Sequence, residues 1–215
     1  MHDINLQDGD ILAKQKELAK KNEDKLALHD VRAINVMGAI GSGKTALIEA
    51  IYEKIKEEKK VGAVAGDVAG TDDYERFEAA GITAFNLNTH SDCHLDAHLV
   101  DHSLESMPLD SLDLLFVENV GNLVCPADFP LGTESDVVVI SVTEGEDMVR
   151  KHPKIFSQSD LVVINKVDLA NAIDVDPEIP KEDYEEINPG GKVIFTAATK
   201  DRGVDELVEA LELLD

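Results

Sequence analysis

Residues 38–45 read Gly38-Ala39-Ile40-Gly41-Ser42-Gly43-Lys44-Thr45, a glycine-rich loop closed by a lysine and a hydroxyl. In such a loop, backbone N–H groups turn inward around a β-phosphate and Lys44 adds a full positive charge. The Thr45 hydroxyl suits a Mg²⁺ ion beside the terminal phosphates. The chemistry this predicts is the binding and cleavage of a nucleoside triphosphate. The setting is the one the motif requires, since residues 31–37 read as a buried strand and residues 45–58 as a helix.

The base is read elsewhere. Asn165-Lys166-Val167-Asp168 follows the apolar run 160–164. A carboxylate such as Asp168 accepts hydrogen bonds from the ring N–H and the exocyclic amine of guanine, a pair of donors that adenine lacks. Lys166 is expected along the base plane, Asn165 as the brace of the loop, and Ala197 as a backbone N–H donor to the guanine oxygen. GTP is therefore the expected substrate and GDP the product.

Carboxylates at strand ends supply the remaining chemistry. Glu118 closes the strand-like run 112–117 and Gly121 follows it, a pattern suited to holding Mg²⁺ and sensing a γ-phosphate. Most regulatory GTPases carry aspartate where this chain has Glu118. Asp67, after the run 61–66, is expected to hold Mg²⁺ through water or to orient the attacking water, with Asp72 and Asp73 close behind. Lys44, Asp67, Glu118 and Gly121 are thus the expected catalytic set, and Thr45, Asp67 and Glu118 the magnesium set.

A second constellation is Cys93-His94, with His98 and His102 at successive fourth positions and Cys125 further on. Four of the seven histidines, His90 included, fall between residues 90 and 102. On a helix, His94, His98 and His102 would share one face. Thiolate and imidazole donors suit Ni²⁺ or Zn²⁺ better than Mg²⁺ or Ca²⁺. Cys125 follows Gly121 by four residues, so nucleotide state is expected to reach the metal.

Alternating apolar runs and helical patterns position these groups. Strands are expected at 31–37, 61–66, 82–87, 112–117, 136–142, 160–164 and 192–196, and helices at 45–58, 72–80, 94–105, 146–156 and 203–214. Such a βαβ series predicts an α/β fold with a mostly parallel sheet and helices on both faces. Residues 10–29 read as an amphipathic helix in which Ile11 and Leu18, and Leu12, Ala19 and Leu26, recur at heptad spacing. Residues 1–30 are accordingly expected to be a helical extension docked on one nucleotide-binding domain, 31–215. The acidic stretch 174–189 is expected to be a mobile insertion.

Composition excludes several classes. The chain has 215 residues, 43% of them hydrophobic, enough for one α/β domain. With 44 acidic against 20 basic residues, the net charge of −24 opposes nucleic acids and anionic membranes. No apolar run is long enough to span a bilayer and the start has no signal pattern, so a cytoplasmic location is expected. Two cysteines make a disulfide scaffold implausible.

Together the segments GAIGSGKT, GDVAGTDDYERFEAAG, NTHSDCHLDAHLV, ENVGNLVCP and LVVINKVDL resemble the HypB family, GTPases that assist nickel insertion into [NiFe] hydrogenase. The resemblance runs from Val31 to Asp215. It implies a three-layer P-loop fold of the signal-recognition-particle and MinD-like class, and a slow GTPase forming a GTP-dependent homodimer with a metal site at its interface. It carries over Cys93, His94 and Cys125 as metal residues, with His98 and His102 as accessory ligands. The partners it implies are the zinc-containing accessory protein HypA and the hydrogenase large-subunit precursor. Some members carry a cysteine motif and a histidine-rich stretch near their start, and the sequence here shows neither, so only the metal site of the GTPase domain is expected. The urease nickel-delivery GTPases are the alternative, but they place proline between the cysteine and histidine that are adjacent here. A nickel or zinc storage or sensor protein, and a small-molecule kinase, are rivals from other classes.

Overall fold

The computed structural model describes residues 4–90 and 92–214, with side chains from residue 13 onward. In chain order the elements are α1 (Ile4–Leu28), β1 (Arg32–Gly38), α2 (Lys44–Ile55), β2 (Val61–Asp67), α3 (Asp72–Ala80), β3 (Thr83–Asn88) and α4 (Ala97–Ser106). Then come β4 (Leu114–Glu118), β5 (Ser135–Ser141), α5 (Met148–Lys151), α6 (Pro153–Gln158), β6 (Leu161–Asn165), α7 (Ala170–Ile173), α8 (Glu178–Ile187), β7 (Lys192–Phe195) and α9 (Val204–Ala210).

All seven strands pair in parallel, in the order β3-β2-β4-β1-β5-β6-β7. Their Val, Ile and Leu side chains are buried on both faces, the pattern that parallel strands covered by helices demand. One face packs on Ile48, Ile51 and Phe77 of α2 and α3 and on Leu207 of α9. The other packs on Leu26 of α1 and Val100 of α4 toward β3, and on Phe156 and Tyr184 of α6 and α8 toward β7. Chain order reverses at β1, which lies between β4 and β5. The loops that leave the carboxyl ends of these central strands meet at that switch point, where open α/β sheets bind ligands.

The structure shifts several elements. The helix expected over 146–156 is two short ones, because Pro153 bars helical geometry at His152, which adopts φ −126°, ψ 48°. The stretch 174–189 is no mobile insertion: it forms α8, pinned by a fully buried Tyr184 whose hydroxyl donates to Ser159 O at 3.3 Å. β4 starts at Leu114, two residues later than expected, and the Asp113 carboxylate just before it accepts the Lys60 N–H at 2.6 Å. The helix expected from residue 94 starts at Ala97, where the Asp96 carboxylate caps it by accepting from Leu99 N at 2.8 Å.

α1 lies along α4. Buried Asn22 donates to Ala97 O and Leu131 O, at 2.8 and 2.9 Å. Gln15 brackets the start of α4 by donating to Asp96 and accepting from Ala97 N. Lys21 and Lys25 both pair with Asp101. Gly132 is needed for this close approach, since its φ is +88° and a Cβ there would collide with Ala19 O. Ala19 and Leu26 are buried as the heptad spacing implies, whereas the side chains of Ile11 and Leu12 lie outside the described residues.

Candidate nucleotide site and adjoining metal centre

The phosphate loop is built by its neighbours. Gly43 has φ +99°, a conformation that suits glycine, and a Cβ there would collide with the Asn165 amide. That amide donates to Ser42 O at 2.9 Å, while its oxygen accepts from Thr196 Oγ1 at 2.9 Å and Ala198 N at 3.2 Å. Lys166 donates to Gly41 O at 2.6 Å. The base-reading and phosphate loops are therefore one braced unit. Asp168 stands at its rim, 2.7 Å from Lys200, whose ammonium holds the carboxyl below the ordinary carboxylate range. The Ala197 N–H is not free for a base, because it is donated to Arg202 O at 3.0 Å where the chain turns back on itself.

Two carboxylates converge on Thr45, with Lys44 beside one of them. Its hydroxyl lies 2.6 Å from Asp73 Oδ1 and 3.0 Å from Glu118 Oε1, and Lys44 Nζ lies 3.9 Å from Glu118 Oε1. Glu118 is 3% exposed, and burial pushes its carboxyl up to about 7 against the pull of Lys44. Its second oxygen, Oε2, is buried without a partner, and so is the Ser42 hydroxyl. Buried polar atoms are nearly always paired, so these orphans indicate where groups of a ligand belong. The Lys44 ammonium meanwhile rests on Gly38 O and Ala39 O at the long distances of 3.4 and 3.3 Å.

Asp67 does not join this group. Its Oδ1 accepts from Val68 N at 2.5 Å and its carboxylate is folded over Gly70, whereas Asp73 occupies the place beside Thr45. Sequence reasoning ranked the two the other way. Asp67 ends a strand, but Thr71 stands at the N-cap position of α3 and the first turn of that helix carries Asp73 back toward the phosphate loop. Glu144, just past β5, carries no expectation from the sequence. Both its oxygens are buried with no close hydrogen-bond partner, and burial raises it to about 7 although the nearby Ser141 backbone, Lys166 and Lys44 oppose the shift.

Gly121 packs against the phosphate loop. A Cβ there would lie 2.9 Å from Ile40 N and 3.0 Å from Ile40 Cα, so the segment after Glu118 lies directly against the phosphate loop. Two bonds continue the pairing, Asn119 N to Val36 O and Asn122 N to Gly38 O, both 3.0 Å.

Cys93, His94 and Cys125 come together beside this segment, with one ligand atom from each within 4.8 Å of the others. The two sulfurs are 2.6 Å apart and both cysteines are free. The His94 ring stacks on Phe129 at 3.8 Å, and burial lowers its pKa, which favours the neutral imidazole that a metal binds. His98 and His102 stand apart. Because α4 starts at Ala97, His94 is not on their helix face; their rings meet edge-on at 4.6 Å, and among the described residues they belong to no ligating group of three. No described helix is long and apolar enough to cross a membrane.

A braced glycine loop, an acidic pocket around its threonine and a parallel sheet define a P-loop nucleotide-binding protein. Residues 32–195 match the family model of the CobW/HypB/UreG nucleotide-binding domain. The Probable hydrogenase maturation factor HypB of Methanocaldococcus jannaschii is 50% identical over 203 residues, covering 94% of this chain and 92% of that protein. The crystal structure of hydrogenase maturation factor HypB from Archaeoglobus fulgidus matches with a TM-score of 0.87 at 48% identity, covering 93% of this chain and 98% of that one. The Helicobacter pylori HypB structure, solved in complex with nickel, matches with a TM-score of 0.88 at 28% identity, covering 93% and 94%. The chain belongs to the CobW/HypB/UreG family, among its HypB members.

Proposed function

We propose that this protein is a GTP-hydrolysing metallochaperone that assists nickel insertion into [NiFe] hydrogenase, with residues 31–215 as the GTPase domain and 1–30 as a helical extension. The observation that carries this reading is the adjacency of the two sites: Cys125 of the Cys93, His94 and Cys125 cluster follows Gly121, packed on Ile40 of the phosphate loop, by four residues.

Gly38 to Thr45 take the phosphates, Asp168 reads guanine, and Asn165 and Lys166 hold the loop that presents it. Lys44, loosely placed on carbonyls, is free to move onto phosphate oxygens and offset the charge that builds up as the bond to the γ-phosphate breaks. The donor set around Thr45, with the orphaned Glu118 oxygen, fits Mg²⁺, held by Thr45 and Glu118 with Asp73 or Asp67 behind; bound there, the ion would neutralise β- and γ-phosphate charge. Gly121 senses the γ-phosphate through its contact with Ile40.

Cys93, His94 and Cys125 bind the nickel cargo as thiolates and a neutral imidazole, and Zn²⁺ is accepted by the same donors. Three ligands from one chain leave coordination positions open, which a second copy fills in the GTP-bound homodimer. Hydrolysis loosens that arrangement, and nickel passes to a HypA-type accessory protein or to the hydrogenase large-subunit precursor.

Multiple-turnover phosphate release with GTP and with ATP tests the reading. We expect Mg²⁺-dependent turnover of GTP and at least about a hundredfold preference over ATP, because a site built on a base's hydrogen bonds rejects analogues that lack them. No turnover of either nucleotide would leave a storage protein, and equal turnover would remove the role of Asp168.

A further inference from the structure

We propose that Asn122 is the positioning residue through which the phosphate loop and the metal cluster sense one another; this rests on the nucleotide-regulated reading above. One residue spans the whole gap. Its backbone N–H donates to Gly38 O, the first carbonyl of the phosphate loop, at 3.0 Å. Its side-chain Oδ1 accepts from Val124 N at 2.8 Å and so fixes the turn that delivers Cys125. Its Nδ2 donates to Cys93 O at 3.2 Å. Both cysteine-bearing loops therefore hang from a single amide whose own backbone is bonded to the nucleotide loop.

Gly38 O is also the carbonyl on which the Lys44 ammonium rests. Phosphates that draw Lys44 away leave Asn122 as the partner of that carbonyl, so any shift of Gly38 passes along a hydrogen-bonded path to the backbone beside each sulfur. Neighbouring Asn119 plays a different part. Its oxygen accepts from Leu95 N and Val120 N and its amide donates to Asn35, which in turn donates to Asp136, so it anchors the Cys93 loop to the buried sheet. Asn119 is fixed at both ends within the core, whereas Asn122 is half-buried and joins two segments that carry ligands. Aspartate at position 122 would keep the acceptor for Val124 but set an anionic oxygen against Cys93 O, and alanine would release both loops.

The test is nickel chloride titrated calorimetrically into the full chain, loaded with Mg²⁺ and either GDP or a non-hydrolysable GTP analogue, for wild type, Asn122→Ala and Asn122→Asp. Thiol-reagent labelling rates of Cys93 and Cys125 in the two nucleotide states give a second readout. In wild type, nickel affinity is expected to differ about tenfold between nucleotides. In both variants the ratio should fall to within about twofold and the labelling rates should become independent of nucleotide. A merely structural role would weaken nickel binding equally in both states and leave the ratio intact. A wild-type ratio retained by both variants overturns the role of Asn122 alone; a wild type with no ratio removes the regulated site and this role together. Should Asn122→Ala fail to fold, Asn122→Asp and the labelling rates decide.

Discussion

The phosphate and base-reading loops are clamped directly to each other by side chains, whereas the loops of Cys93 and Cys125 are tied by two amides, Asn119 and Asn122. Asn165 and Lys166 grip Ser42 and Gly41 directly, and Gly43 lies close enough to the Asn165 amide that a Cβ there would collide with it. Cys93 is exposed, Val124 beside Cys125 is 61% exposed, and the amides of Asn119 and Asn122 tie this pair of loops to the rest of the rim. A preorganised grip next to an adjustable one is what a switch needs: the rigid part supplies binding energy and the loose part changes shape.

The comparison is broken most severely at its rigid end. Lys44→Ala is expected to lower GTP turnover by about a hundredfold or more, the loss typical of removing one preorganised charge-stabilising group; phosphate release measures it. At the adjustable end, Cys93→Ala or Cys125→Ala should weaken nickel binding by about a hundredfold under either nucleotide, since losing a ligand costs at least as much as losing its support. Unchanged nickel affinity in the titration of both variants would place the cargo elsewhere.

A smaller effect sharpens the boundary between the regions. Asp73→Asn should raise the Mg²⁺ concentration needed for half-maximal turnover by roughly tenfold, and Asp67→Asn by less, because only Asp73 touches Thr45. The opposite order would give Asp67 the role its strand-end position suggests.

The smallest effect concerns the docking of α1 on α4. Lys21 and Lys25 hold the Asp101 carboxyl below its ordinary pKa of 3.8. The folded state then binds that proton less tightly than the unfolded state. The pair's stabilisation is complete above the unfolded value and is lost as pH falls through the lower folded one. Asp101→Asn should lower Tm by about 3 °C at pH 7, with the difference from wild type vanishing in strong acid. A difference that grows on acidification would contradict the pairing.

Much of this was legible because strands and loops follow local rules. Apolar runs between helical patterns marked all seven strands, and the glycine spacing of 38–43, closed by Lys44 and Thr45, marked the phosphate loop with its flanking elements. Loop contents resisted for a different reason. That Asp73 rather than Asp67 meets Thr45 depends on where each carboxylate turns, Asp67 back onto Val68 N and Asp73 onto the Thr45 hydroxyl, and that His94 leaves the face of His98 and His102 depends on the Asp96 cap; periodicity decides neither. Residues 174–189 looked like a loop because acidic residues and prolines dominate them, yet one buried tyrosine turns them into a packed helix. Asn119 and Asn122 carried no signal beyond their place between two motifs, since an amide's bonds are set by tertiary neighbours.

Coupling between sites is reciprocal, so the factor by which nucleotide alters nickel binding must also be the factor by which nickel alters nucleotide binding. The most direct measurement is the affinity of a non-hydrolysable GTP analogue, relative to GDP, with and without saturating nickel. The analogue-to-GDP preference should shift about tenfold when nickel is bound. A preference that is the same in both conditions would contradict the account.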